Sequence, residues 1–137
     1  MSGSLKLFVY GTLKPGEANY DRYCATQVVE VCEAIARGQL FALPMGYPAM
    51  TPGENWVLGY RLTFPDWSLL DDLDELEDYS PYREATENEY YRTKIETFSP
   101  DSQSLGKAWA YLMDLEKAKR FGGVLLPKGQ WTAKDTA

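Results

Sequence analysis

An α+β fold, a small mixed and mostly antiparallel β-barrel with short flanking helices, is predicted by three features of this sequence. Several short runs are apolar or alternate apolar with polar residues between Gly, Pro and Asp punctuation, as barrel strands do. A single acidic segment has helical spacing instead. The length, 137 residues, suits one core and hence one domain, 1–137, with residues 132–137 expected to be a frayed tail.

Leu5 to Tyr10 (LKLFVY) is apolar, aromatic and β-branched and stops at Gly11, which predicts a buried first strand. GTLKPG, with two glycines and a proline, predicts a turn leading into a short helix around Ala18 to Cys24. Val28 to Leu43 predicts one long bent strand or a strand pair, with Gly38 at a bulge or bend. Gly46 to Met50 and Trp56 to Phe64 predict further strands, separated by a turn at TPGEN. Asp66 to Asp78 predicts a helix. Tyr90 to Phe98 and Ser104 to Met113 alternate as half-buried strands, joined by a polar turn at Asp101 to Ser104. Asp114 to Arg120 predicts a short final helix.

The composition excludes whole classes of chemistry. There is no histidine, so Ser-His-Asp and Cys-His catalysis, HExxH zinc sites and histidine metal triads are unavailable. Neither GxGxxG nor GxxxxGK[ST] occurs, so the default expectation is a protein without cofactor or metal. A net charge of −6 with no basic cluster argues against nucleic acid as a partner. No apolar run approaches the ~18 residues of a membrane span, and the N-terminal residues read as a strand rather than a signal peptide. A cytoplasmic location is therefore expected, with Cys24 and Cys32 reduced rather than joined. The oligomeric state is left open.

The acidic segment DWSLLDDLDELEDY carries the sharpest signal. At ~100° per residue, Leu69, Leu70, Leu73 and Leu76 form one buried stripe, and most of the acids fall on the outer face. Glu77 lies inside the stripe, at i+7 from Leu70 and i+4 from Leu73. A carboxyl turned inward near a helix C-terminus loses solvation and meets the negative end of the helix dipole, and both raise its pKa. That makes Glu77 a candidate general acid or base. The alternative is that Glu77 bends outward and pairs with Arg83 or Arg92 as a structural ion pair.

These residues together carry a resemblance. FVYGTLKPG after the first strand, LDELE on the acidic helix and Tyr90-Tyr91-Arg92 at a later strand resemble the γ-glutamylcyclotransferase-like family, closest to its γ-glutamylamine cyclotransferase branch. GYPA at 46–49, VLGY at 57–60, AWAY at 108–111 and GQW at 129–131 extend the similarity over almost the whole chain. The resemblance implies a small mixed barrel, a cavity at the YGTL loop, and one glutamate, here Glu77, as acid-base catalyst. It further implies release of 5-oxoproline from a small-molecule γ-glutamyl compound, the substrate's own α-amine attacking its γ-carbonyl carbon. On that reading ionised Glu77 takes a proton from the α-ammonium group and returns it to the departing amine. Amides of Gly11, Thr12 and Leu13 would meet the α-carboxylate or the oxyanion, with Tyr10 and Tyr111 lining the cavity.

Other readings compete with this one, including a purely structural or interaction domain. Gly11 and Gly16 fit a tight turn that needs them for backbone reasons alone. Tyr90, Arg92 and Tyr111 sit in alternating strands, where packing or pairing with an acid explains them equally well. A non-catalytic domain binding a γ-glutamyl or amino-acid-like ligand in the same cavity is the alternative function. One departure from the family stands out: Asp78 to Glu89 is longer than its usual link between the catalytic glutamate and the Tyr-x-Arg, which places an extra loop beside the site with the means to close over it, reshape it or block it.

Overall fold

Six strands make one sheet in the computed structural model, which describes residues 4–84 and 87–131. They are β1 (Leu5–Val9), β2 (Glu30–Ala42), β3 (Pro48–Phe64), β4 (Tyr91–Phe98), β5 (Ser104–Leu112) and β6 (Val124–Leu125). The order is β3-β1-β5-β4-β2-β6, and β2 also pairs with β3, so the first five strands close into a barrel. Only the β1–β5 pairing is parallel; the rest are antiparallel. Closure hydrogen-bonds both edges of β1, β5, β4, β2 and β3, which removes the free edges an open sheet of this size would expose. The expected mixed, mostly antiparallel barrel is what forms, and the expected tail at 132–137 lies outside the described residues.

β1 shows why its sequence is apolar on both sides. Leu5, Leu7 and Val9 pack in one cluster with Leu69, Leu70 and Leu73, while Phe8 and Tyr10 pack in another with residues of β2, β3 and β5. A strand with protein on both faces has no solvent face to make polar. Its parallel pairing with β5, at Leu7 against Trp109, brings Tyr10 and Tyr111 together at one end of the barrel.

Two expectations need correction. TPGEN is not a turn between two strands; β3 runs through it. Thr51 pairs with Gln39 and Trp56 with Arg37, so exposed Pro52, Gly53, Glu54 and Asn55 bulge out while the ladder resumes on either side. Gly38 lies opposite that bulge, where a Cβ would come within 2.8 Å of the Thr51 carbonyl oxygen. The sequence signal at Gly38 was a bulge within one long strand.

The acidic helix is also shorter than expected. It spans Leu70–Leu76 (α1) rather than Asp66 to Asp78. Pro65 and the Asp66 side chain, which accepts the Ser68 amide at 2.9 Å, hold the preceding residues in a turn. At the other end the Asp78 amide donates to the Glu75 carbonyl at 3.2 Å and the Tyr79 amide to the Asp74 carbonyl at 2.9 Å. With Asp78 at φ 55° this is a Schellman stop, in which Glu77 is the C-cap residue. A five-residue π-helical turn, Tyr20–Cys24, follows the YGTL loop, and a second helix, α2 (Leu115–Arg120), follows β5.

Candidate active site

A cavity of about 190 Å³ opens where β1 ends and α1 stops. Val9, Tyr10, Gly11, Thr12 and Leu13 form one wall, and Leu76 and Glu77 the facing one. Tyr47, Pro48, Glu89, Tyr90 and Tyr111 complete it, with Asn19 from just before the π turn. Every site residue predicted from sequence, namely Glu77, Tyr10, Gly11, Thr12, Leu13 and Tyr111, therefore lies on one surface.

Gly11 is required by a close approach. A Cβ there would stand 2.5 Å from Cγ of Pro48, so any side chain would wedge the loop off β3. Gly16 answers a different need, a backbone φ of 97°. The turn is closed by the Lys14 amide donating to the Gly11 carbonyl at 2.9 Å. Among the described residues the amides of Gly11, Thr12 and Leu13 donate to no protein acceptor, which leaves them available to a ligand.

The Schellman stop fixes the backbone of Glu77: its amide donates to the Leu73 carbonyl at 2.9 Å, and the chain reverses at the next residue. Its carboxyl enters no ion pair among the described residues, because Arg83 pairs with Asp78 and Arg92 with Asp74. The surface it retains faces the cavity it lines. Burial first, and then the neighbouring Glu89 carboxylate, push its pKa from the ordinary 4.5 up to about 8. Burial thus favours the protonated form of this carboxyl, the direction that its inward position predicts from sequence.

The tyrosines are fixed by their hydroxyls. Tyr10 donates to the Tyr111 carbonyl at 2.5 Å, Tyr90 to the Pro48 carbonyl at 2.6 Å, and Tyr111 to Asp74 Oδ1 at 2.6 Å. Burial raises the pKa of all three phenols, so they stay neutral donors. Tyr111 thus presents its ring to the cavity while its hydroxyl braces α1. Arg92 meets Asp74 through two bonds, 2.9 and 3.1 Å, and lies over Trp109; its role is to hold α1 against the barrel.

Sequence reasoning missed Tyr47 and Glu89. The Tyr47 hydroxyl donates to Glu89 Oε2, joining residues 42 apart in the chain. The end of the long segment after α1 therefore adds a second carboxylate to the cavity wall. Its extra length was the available signal, since a loop that leaves from the site and returns to β4 beside it must border the site. Among the described residues no group of three metal-ligating side chains forms, and no helix is long and apolar enough to cross a membrane.

A closed mixed barrel with a buried carboxyl and unpartnered loop amides lining one cavity places the chain in a class of small single-cavity barrel proteins. The chain matches the family described as "Gamma-glutamyl cyclotransferase, AIG2-like" over residues 7–133, and it belongs to that family. Its membership indicates γ-glutamyl-cyclotransferase-type activity. The fold is shared with an AIG2-like protein of Mus musculus, at TM-score 0.72 and 20% identity over 94% of this chain and 88% of that one. An Arabidopsis thaliana protein solved in solution aligns at TM-score 0.63 and 23% identity, over 96% and 79%. YkqA of Bacillus subtilis aligns at 0.66 and 20% over 93% of this chain, which spans 39% of YkqA's length. No curated protein matches closely enough to count as a relative.

Proposed function

We propose that this protein is a cofactor-independent cyclotransferase that releases 5-oxoproline and an amine from a γ-glutamyl compound, with Glu77 as the proton shuttle. The observation that carries this reading is the Glu77 carboxyl, desolvated and without a counter-charge, lining the same cavity as Gly11, Thr12 and Leu13, whose amides are unpartnered. A γ-glutamyl compound has an ammonium group to offer the first and a carboxylate to offer the second.

A carboxyl whose pKa is raised to about 8 is a stronger base toward an α-ammonium than an ordinary glutamate, so proton transfer between them is less uphill. Protonated Glu77 with a neutral amine holds the same protons as ionised Glu77 with an ammonium, so either form of the pair can enter the reaction. The α-nitrogen lone pair attacks the γ-carbonyl carbon, and the carbonyl electrons move to an oxyanion. The bond from that carbon to the leaving nitrogen then breaks. Two protons leave the α-nitrogen and two reach the leaving nitrogen, with Glu77 carrying them. No external nucleophile is needed, and enforced proximity of the reacting groups supplies much of the rate. The γ-glutamylamine branch is the preferred substrate class, because AIG2-like family membership and the branch-like YGTL and LDELE motifs occur in one chain.

The test is 5-oxoproline release from a panel of γ-glutamyl amines and γ-glutamyl dipeptides, by the wild type and by Glu77→Gln. Release that disappears in the variant is the expected result. A wild type that binds panel members without releasing 5-oxoproline would overturn the reading and leave a ligand-binding domain.

A further inference from the structure

The segment after α1 spends its extra length on putting one side chain back into the cavity. Asn88 is buried and clasps Ser80 in both directions, its Oδ1 accepting the Ser80 amide and its Nδ2 donating to the Ser80 carbonyl, each at 3.0 Å. Lys117 of α2 donates to the Asn88 carbonyl, and the Glu89 amide donates to the Asp78 carbonyl at 3.1 Å. These bonds close the segment into a loop whose exit lies beside its entry. Glu89 consequently returns next to Glu77, and Tyr47 fixes its carboxylate by donating to one oxygen.

Among the described residues lining the cavity there is no Lys or Arg, yet two carboxyl groups face it. The two acids on either side of Glu77 that meet a cation lie outside this cavity: Asp74 has Arg92, and Asp78 has Arg83. Two acids sharing a desolvated space without a cation disfavour each other's ionised form, and the arrangement is relieved when a cation enters. The loop amides across the cavity suit an anion, so a zwitterionic head group has its two ends specified.

We propose that Glu89, held by Tyr47 and the Asn88–Ser80 clasp, is a substrate-binding residue whose carboxylate receives the α-ammonium group of the ligand and delivers it to Glu77. The assignment rests on the γ-glutamyl reading for the identity of the ligand. It gives the extra loop a task in selectivity: compounds with a free α-amine are retained, and deaminated or N-acylated ones are not.

The experiment measures binding, so that it stands apart from turnover. Calorimetry compares γ-glutamylmethylamide with glutaric acid monomethylamide, which lacks only the α-amine, on Glu77→Gln and on Glu77→Gln/Glu89→Gln. On Glu77→Gln the α-amino compound is expected to bind about tenfold or more tightly, as a charge-assisted contact allows. In the double variant that preference should collapse while the deaminated compound binds both proteins alike. Glu77→Gln/Glu89→Asp, which keeps the charge, should retain it, and this separates charge from folding. Equal binding or no binding of both compounds to Glu77→Gln, or a preference that outlives Glu89, overturns the assignment. Wild-type release of 5-oxoproline is read separately: preference without release removes the cyclotransferase reading alone, and release without a Glu89-dependent preference removes this one alone.

Discussion

Asp74 and Glu77 are three residues apart at the end of the same short helix, and their surroundings make them different groups. Asp74 receives two bonds from Arg92 and one from the Tyr111 hydroxyl, which anchors α1 to β4 and β5. Glu77 receives none among the described residues, faces a cavity and has Glu89 as its nearest electrostatic neighbour. One carboxylate is neutralised and structural, while the other is desolvated and has no cation partner among the described residues. Environment rather than residue type divides the work, as in enzymes that set two acids to opposite tasks. The two are also coupled, because the Asp74 side chain ties α1 to β4 and β5 next to the Schellman stop that holds the backbone of Glu77.

The largest expected effect falls on Glu77. Glu77→Gln keeps the shape and removes the proton, so kcat should fall by about 10²–10⁴-fold with binding largely preserved. Steady-state assays on a γ-glutamyl amine check this, and a loss of less than tenfold would sink the shuttle. Asp74→Asn should act on the fold instead. It leaves Arg92, about one-sixth exposed, without its charge partner, at a cost of roughly 2–4 kcal/mol in urea unfolding. A variant of unchanged stability would mean that the pair does not anchor α1.

Next in size is a pH effect on stability. A carboxyl whose pKa is raised on folding takes up a proton as the chain folds. Its contribution is whole below the ordinary value of 4.5 and is lost as pH rises through about 8. Wild-type stability should therefore decline across that window relative to Glu77→Gln, which carries no proton to lose there. Parallel unfolding curves for the two proteins from pH 5 to pH 9 would contradict the raised pKa.

How much of this was legible in the sequence depended on the range of the interaction. The leucine stripe is a local property of α1, so it placed Glu77 inward even though the helix, 7 residues long, is shorter than the expected span from Asp66 to Asp78. YGTL, bounded by the Gly11 and Gly16 constraints, is likewise local. The wall formed by Tyr47 and Glu89 was not legible, because it joins residues 42 apart through a loop whose composition looks like any solvated surface segment. Glu89 came to the cavity through the Asn88–Ser80 clasp, and no periodicity encodes that. TPGEN misled for a related reason: its residues favour a turn, but pairing of β2 on both sides of the bulge overrides local preference.

The smallest effect concerns the stop itself. Asp78 holds φ at 55°, a region that Asp tolerates and a β-branched residue does not. Asp78→Val should cost about 1–2 kcal/mol and release the last turn of α1, which lowers turnover because Glu77 is then less firmly aimed. Asp78→Gly keeps the stop and removes the half-exposed Arg83 pair, a contact worth little, so its stability should stay within about 0.5 kcal/mol of wild type. Both variants lose the carboxylate and only one loses the backbone conformation. A difference in turnover between them therefore reports on the geometry of the C-cap alone, and equal turnover would mean that Glu77 is aimed by the Asp74 anchor rather than by the Schellman stop.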